Sequence, residues 1–145
     1  MAVLAHLLAG DGAALSNNDT GKLVRIKKTI DFSKVNAAVN DVVKLFNIPA
    51  DVLIQDVVAN VKTAEGGTLT FDIGDYLKAT DAAVDADGYI DGANGNTVAA
   101  SKTSGGATAY ASGKAYIADT AYLGLEVKNA ADAAVIEVTV LAVAL

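Results

Sequence analysis

The chain has 145 residues, enough for one domain with a sizeable core. Its 11 Lys and Arg against 17 Asp and Glu give a net charge of −6, which argues against a nucleic-acid surface built on clustered basic residues. With no Cys there is no disulfide framework and no thiolate site, and 13 Gly with a single Pro suit short strands joined by tight turns.

The first 21 residues differ from the rest. Ala2 to Ala9 is apolar but short, contains His6, and follows no basic residues, so it lacks the pattern of a secretory signal. Gly10-Asp11-Gly12 and Ser16 to Gly21 follow, a cluster of turn formers. Residues 1–21 are either a loose tail or an arm whose Val3, Leu4, Leu7 and Leu8 dock on a neighbouring subunit. The aliphatics favour the arm, because large apolar side chains left exposed usually mark an interaction surface. Residues 22–145 are then the folded domain.

Lys22 to Phe32 alternates, with Val24, Ile26, Ile30 and Phe32 on one face. Lys28 breaks that face, which predicts an edge strand, where lysine also discourages stray pairing. Ser33 to Asn40 reads as a loop or short helical turn; helical spacing continues to Phe46, but the valines, Asn36, Asn40 and Asp41 are middling or poor helix formers. Three β-branched runs follow, over 42–48, 52–61 and 69–73. Pro49 ends the first, so Asn47 to Asp51 reads as a connection between neighbouring strands, and Glu65-Gly66-Gly67-Thr68 reads as a tight hairpin loop between the second and third. In 52–61, Leu53, Val57, Ala59 and Val61 share a face that Gln55 interrupts; Leu69, Phe71 and Ile73 point inward in the next.

From Asp75 to Gly113 the apolar density falls. This predicts a long contact-making loop with short strands at Gly88-Tyr89-Ile90 and Thr97 to Ala100. Pattern returns over Lys114 to Ala118 and Ala121 to Val127. After a turn at Asn129 to Ala133, Ala134 to Leu145 closes the chain as a strand, with Ile136, Val138, Val140, Ala142 and Ala144 on one face. So apolar a terminal strand must be central or covered. It contains Glu137 and falls short of the roughly 18–20 residues of a spanning helix, so the chain is expected to be mature and soluble. Eight or so strands without a recurring helix predict an all-β fold, an antiparallel sandwich or jelly roll, with an extended N-terminal arm.

Candidate chemistry is sparse. Asp85-Ala86-Asp87-Gly88-Tyr89-Ile90-Asp91-Gly92 resembles the start of a calcium loop, but its third oxygen ligand and closing Glu are missing, so a tight turn is the plainer reading. Asp72 and Asp75 could form a glycosidase-like carboxylate pair with later aspartates. Sugar clefts want aromatic platforms, however, and there is no Trp; Tyr76, Tyr89, Tyr110, Tyr116 and Tyr122 read as packing residues. His6 is the one histidine, so no zinc site or nucleophile–base pair forms within one chain. Gly10-Asp11-Gly12 and Gly105-Gly106 lack the strand-to-helix context of a phosphate loop. Lys22, Arg25, Lys27, Lys28 and Lys34 are the one basic concentration, either a solvated strand face or a contact with an acidic neighbouring subunit. No catalytic, cofactor or metal residue is assigned, and no enzyme activity is expected.

Thr29-Ile30-Asp31-Phe32, the run Asn40 to Ala50, Thr70-Phe71-Asp72-Ile73-Gly74-Asp75 and Asp87-Gly88-Tyr89-Ile90-Asp91-Gly92 carry a resemblance. The chain resembles head decoration (capsid cement) proteins of tailed bacteriophages, over Thr29 to Leu145 and outside the arm. The resemblance implies a jelly-roll-like structural protein, commonly a homotrimer, assembled in the host cytoplasm and bound to the major capsid protein on the outer face of the head. It implies no cofactor, no nucleic acid and no membrane partner. The alternative is a receptor- or glycan-binding module of a phage fibre or spike, which would need an exposed cluster including Tyr89 or Tyr110. A hydrolase working through Asp72 or Asp87 is a third reading.

Overall fold

A computed structural model describes residues 3–4, 21, 23–103 and 106–145, which form ten strands and no helix. They are β1 (Val3–Leu4), β2 (Leu23–Asp31), β3 (Val42–Ile48), β4 (Val52–Thr63), β5 (Thr70–Leu77), β6 (Ala83–Asn94), β7 (Ala100–Lys102), β8 (Lys114–Tyr116), β9 (Ala121–Val127) and β10 (Val135–Ala144). One sheet runs β1-β3-β9-β5-β6 and the other β2-β10-β4-β7, with β8 also on β4. Every pairing is antiparallel except that of β1 on β3, where Val3 and Leu4 lie beside Val42 and Val43. Setting β1 and β7 aside, β2-β10-β4-β8 facing β3-β9-β5-β6 is the jelly-roll order, two Greek keys wound into facing sheets.

Period-2 patterning builds this sandwich. β10 buries Ile136, Val138, Val140, Ala142 and Ala144 between the sheets and lies between β2 and β4, the covered position its apolar sequence requires. Burying each such Val or Ile contributes about 1.5–3 kcal/mol. Val43, Leu45, Phe71, Ile73, Leu123, Leu125 and Val127 face them from the other sheet, in one contiguous core. β2 pairs only with β10, so it is an edge strand, and its inward Lys28 amine donates to the Leu45 carbonyl at 3.0 Å, bridging the two sheets along that edge.

Three expectations are corrected. In β4, Ala142 pairs with Ile54 but Leu141 with Asp56, so Gln55 is an extra residue. That bulge reverses the alternation: Val52 and Ile54 point inward before it, Val57, Ala59 and Val61 after it, and Leu53 lies outside the core. Second, the links at Pro49 and at Glu65 to Thr68 carry the chain from one sheet to the other and do not join neighbouring strands. Third, the stretch expected as a long loop contains the end of β5, the 12-residue β6, and β7. Register breaks opposite Ile73 and Asp75 scramble the alternation of β6, which is why its sequence does not read as a strand.

One such bulge folds Asp85 and Ala86 onto β5 at Gly74. A Cβ there would lie 1.9 Å from the Asp85 carbonyl oxygen and 2.4 Å from the Ala86 carbonyl carbon. Backbone cannot yield as a flexible side chain can, so Gly74→Ala is expected to cost about 3 kcal/mol or more in chemical denaturation. Gly67→Ala, with no atom within 4 Å of the added carbon, should be near neutral. Equal stability of the two variants would refute the close approach.

Candidate functional site: a polar bridge beneath an apolar pole

Asp72 and Asp75 are three residues apart on a strand and therefore point to opposite faces. Asp75 lies between the sheets, 1% exposed. Its Oδ1 accepts from the Tyr110 hydroxyl at 3.0 Å, and its Oδ2 from the Lys114 amine at 2.5 Å and the Tyr116 hydroxyl at 3.1 Å. The Tyr116 and Tyr89 hydroxyls are 2.7 Å apart, and the Lys114 amine also donates to the Tyr110 hydroxyl. Tyr89 and Tyr110 meet edge to face, 4.9 Å between ring centroids. This cluster joins β5 and β6 of one sheet to β8 of the other.

Asp72 serves the outer face of the first sheet. It accepts from the Gly92 backbone N–H at 2.7 Å and pairs with Lys128 at 3.0 Å; Lys128 also pairs with Glu126, which accepts from the Tyr76 hydroxyl. Tyr76 and Tyr122 stack alongside, 5.5 Å between centroids. The two aspartates are thus held by separate partners on separate faces and cannot converge on one bound sugar.

The tyrosines set the response to alkali. Burial, together with the paired hydroxyl and the Asp75 carboxylate, pushes Tyr116 far above the ordinary 10.0; burial also raises Tyr89, more than its bond to Tyr116 lowers it. For Lys114, burial opposes the charge, but Asp75 and the Tyr110 hydroxyl outweigh it and hold the amine above its ordinary 10.5. Each group binds its proton more tightly when folded. Their contribution is therefore full below about pH 10 and is lost as pH rises beyond it. Denaturation midpoints should fall steeply above about pH 10, and more shallowly in Tyr116→Phe, which removes one titrating hydroxyl. A midpoint unchanged to roughly pH 12 would contradict the bridge.

Glu65 works at the opposite end of the sandwich. Its two oxygens accept from the backbone N–H groups of Asp132, Ala133 and Ala134 at 2.7, 3.2 and 2.7 Å, tying the β4–β5 link to the β9–β10 link. Burial pushes the carboxyl up, yet the N–H donors outweigh it and hold it below its ordinary 4.5. A depressed carboxyl stabilises above the unfolded value and ceases to as pH falls through the folded one. Glu65→Gln should cost about 1–3 kcal/mol at neutral pH, and the gap from the parent should narrow below about pH 4.5. A gap that persists in acid would count against the three-donor arrangement.

Above the Asp75 bridge lies the surface most suited to contact. Registers place Leu23 beside Val143, Leu53 and Ala115 in one sheet, and Leu77 beside Ala121 and Ile48 in the other, all at the same end. Exposed Leu23, Leu77, Val84, Ile117 and Leu145 gather at this pole, with Ile117 80% and Leu23 60% exposed. Val39 and Val98 are the other exposed large aliphatics among the described residues, and both are at the far end. Leu77, Val84, Ile117, Lys114 and Tyr116 line a shallow concavity of about 270 Å³ whose floor reaches Asp75.

The remaining expected sites are placed as follows. Val3 and Leu4 form β1, while His6, Leu7, Leu8 and Lys22 lie outside the described residues. Asp85 to Gly92 belongs to β6, so it is neither a calcium loop nor a tight turn, and the described residues contain no group of three or more metal-ligating side chains. The basic concentration divides: Arg25 and Lys27 are exposed, Lys28 points inward, and Lys34 pairs with Asp31. Seven of the eight aromatic side chains are buried and Tyr110 is half-buried. No exposed aromatic platform therefore exists for a glycan. The signal available for the bridge was Asp75 itself, an acid in a strand with few other polar residues, which requires a donor from elsewhere in the chain.

No protein-family model matches the chain, and no curated protein does either. Its fold, however, is that of chains in phage capsids. It is similar to a chain in the capsid of Ralstonia phage GP4, with a TM-score of 0.71 and 15% identity over 99% of this chain and 98% of that one. A chain in the cyanophage Pam1 capsid asymmetric unit gives 0.59 and 16% over 90% of each. At such identity the likeness is one of fold.

Proposed function

We propose that this chain is a virion structural protein, a decoration or cement protein that binds the outer surface of a phage head and stabilises it across seams between subunits of the major capsid protein. The observation that carries the reading is the correspondence of fold with the Ralstonia phage GP4 capsid chain over 99% of this chain and 98% of that one. The surface agrees with it. A cement protein acts by adding buried interface between neighbours, and this domain offers an apolar pole where an enzyme would offer a cleft. The aspartates that could have formed an acid–base pair are occupied in holding the fold together.

In this reading the pole faces the shell, and residues 1–21, through Val3, Leu4, Leu7 and Leu8, form an arm that reaches a neighbouring subunit. The family resemblance implies a trimer as the assembled unit. Quantitative mass spectrometry of purified virions should find the chain in proportion to the major capsid protein. Copies in proportion to vertices or tail would support a fibre instead. Ile117→Asp with Leu77→Asp, exposed positions that leave the core untouched, should weaken retention on particles by on the order of a hundredfold, since each apolar contact is worth about 1.5–3 kcal/mol. Deleting residues 1–21 should also lower occupancy. Unchanged retention in both would refute the pole and arm as the binding elements.

A further inference from the structure

The strand at one lateral edge of the sandwich is rich in bases and the strand at the other is rich in acids. β2 lies over β3 on one side, where the Lys28 amine reaches the Leu45 carbonyl, and β8 lies over β6 on the other, where Tyr116 meets Tyr89. β2 is the edge of its sheet and β6 the far edge of the other. Residues 22–28 contain Lys22, Arg25, Lys27 and Lys28 and no acid. Residues 79–101 contain Asp81, Asp85, Asp87 and Asp91 and no Lys or Arg at all. Arg25, Lys27, Asp87 and Asp91 are exposed, and the pairing of Lys27 with Glu137 at 3.5 Å is a surface contact of little worth. Crowding on the acidic side is evident at Asp85, whose carboxyl is pushed above its ordinary value by burial and by Asp87 beside it.

Order along the two edges matches as well as sign. Leaving the apolar pole, β2 presents exposed Leu23, then Arg25, then Lys27. β6 presents exposed Val84, then Asp85, then Asp87. Two copies set side by side with their poles facing the same way would bring Leu23 toward Val84, and Arg25 and Lys27 toward Asp85 and Asp87.

We propose that the partner of each edge is a second copy of this chain, the basic β2 edge of one docking on the acidic β6 edge of the next with the poles pointing the same way. Such a contact uses two different surfaces, so it is heterologous: it closes into a ring if the rotation allows and otherwise runs on. Opposite charges steer the encounter and fix the register, while like edges repel. The common direction of the poles would place every apolar end on one face of the ring. This rests on the self-assembly in the proposed function and deepens it by naming the two surfaces that meet; its test uses the isolated chain without particles, so that it can fail while shell binding stands.

The test is sedimentation velocity of the full chain over a range of concentrations at low and high salt. The parent is expected to associate, more weakly as salt screens the edges. Arg25→Glu with Lys27→Glu, and separately Asp87→Lys with Asp91→Lys, should each weaken association at least about tenfold while circular dichroism stays that of the parent. Mixing the two variants should restore association, because each then offers the edge the other needs; the chain with all four changes should associate like the parent. A parent that stays monomeric throughout would overturn the proposal. So would association indifferent to the reversals, or reversals that weaken it without rescue on mixing.

Discussion

The Asp75 carboxylate, buried between two sheets, constrains most of what this molecule presents to the outside. A charge removed from water costs several kcal/mol unless its partners replace the lost hydration. Three donors do so here, one amine and two hydroxyls, and all three come from residues 110–116. The carboxylate thus fixes where β8 and the segment before it lie against β5. Their position decides the shape of the pole, since Ile117 follows β8 directly and Leu77 ends β5. The same network buries Tyr89 and Tyr116 and half-buries Tyr110, three of the five tyrosines. A chain poor in aromatics has spent them on closing its own interlayer and has none left as a recognition platform.

This gives the surface its division of labour. One end of the sandwich is apolar, the two lateral edges are oppositely charged, and the far end is tied down by Glu65. Under the proposed reading, an apolar end and two charged edges would suit packing among repeated neighbours; the fold itself is shared with capsid chains of two phages. Its acidic groups sort accordingly. Asp72, Asp75 and Glu65 are structural, engaged by cations or backbone donors, whereas those of β6 remain available at an edge.

Much of the fold was legible from alternation alone. The edge position of β2 followed from Lys28 on its apolar face, and the central position of β10 from a run too apolar to be left uncovered. The all-β class followed from short strands without a recurring helix, while the jelly-roll form was implied by the family resemblance. What escaped was whatever a bulge had shifted. Gln55 moved the inward face of β4 by one residue, and the irregular pairing of β6 with β5 made a 12-residue strand look like loop. Links at Pro49 and Gly66-Gly67 were recognisable as turns, but nothing local tells whether a turn joins neighbours or crosses between sheets. The bridge was hidden for a similar reason. Asp75, Tyr89 and Lys114 are brought together by topology across 39 residues of chain, and each taken singly reads as ordinary packing or surface. The pole was least visible, because its five aliphatics are scattered from Leu23 to Leu145 and meet only where strand ends meet.

The most direct test is a reconstruction of the virion at side-chain resolution. Binding as argued here predicts this jelly roll on the outside of the head, Ile117 and Leu77 turned toward the shell at a seam between subunits. The chain found at the tail or a vertex, or on the head with that pole facing solvent, would contradict it.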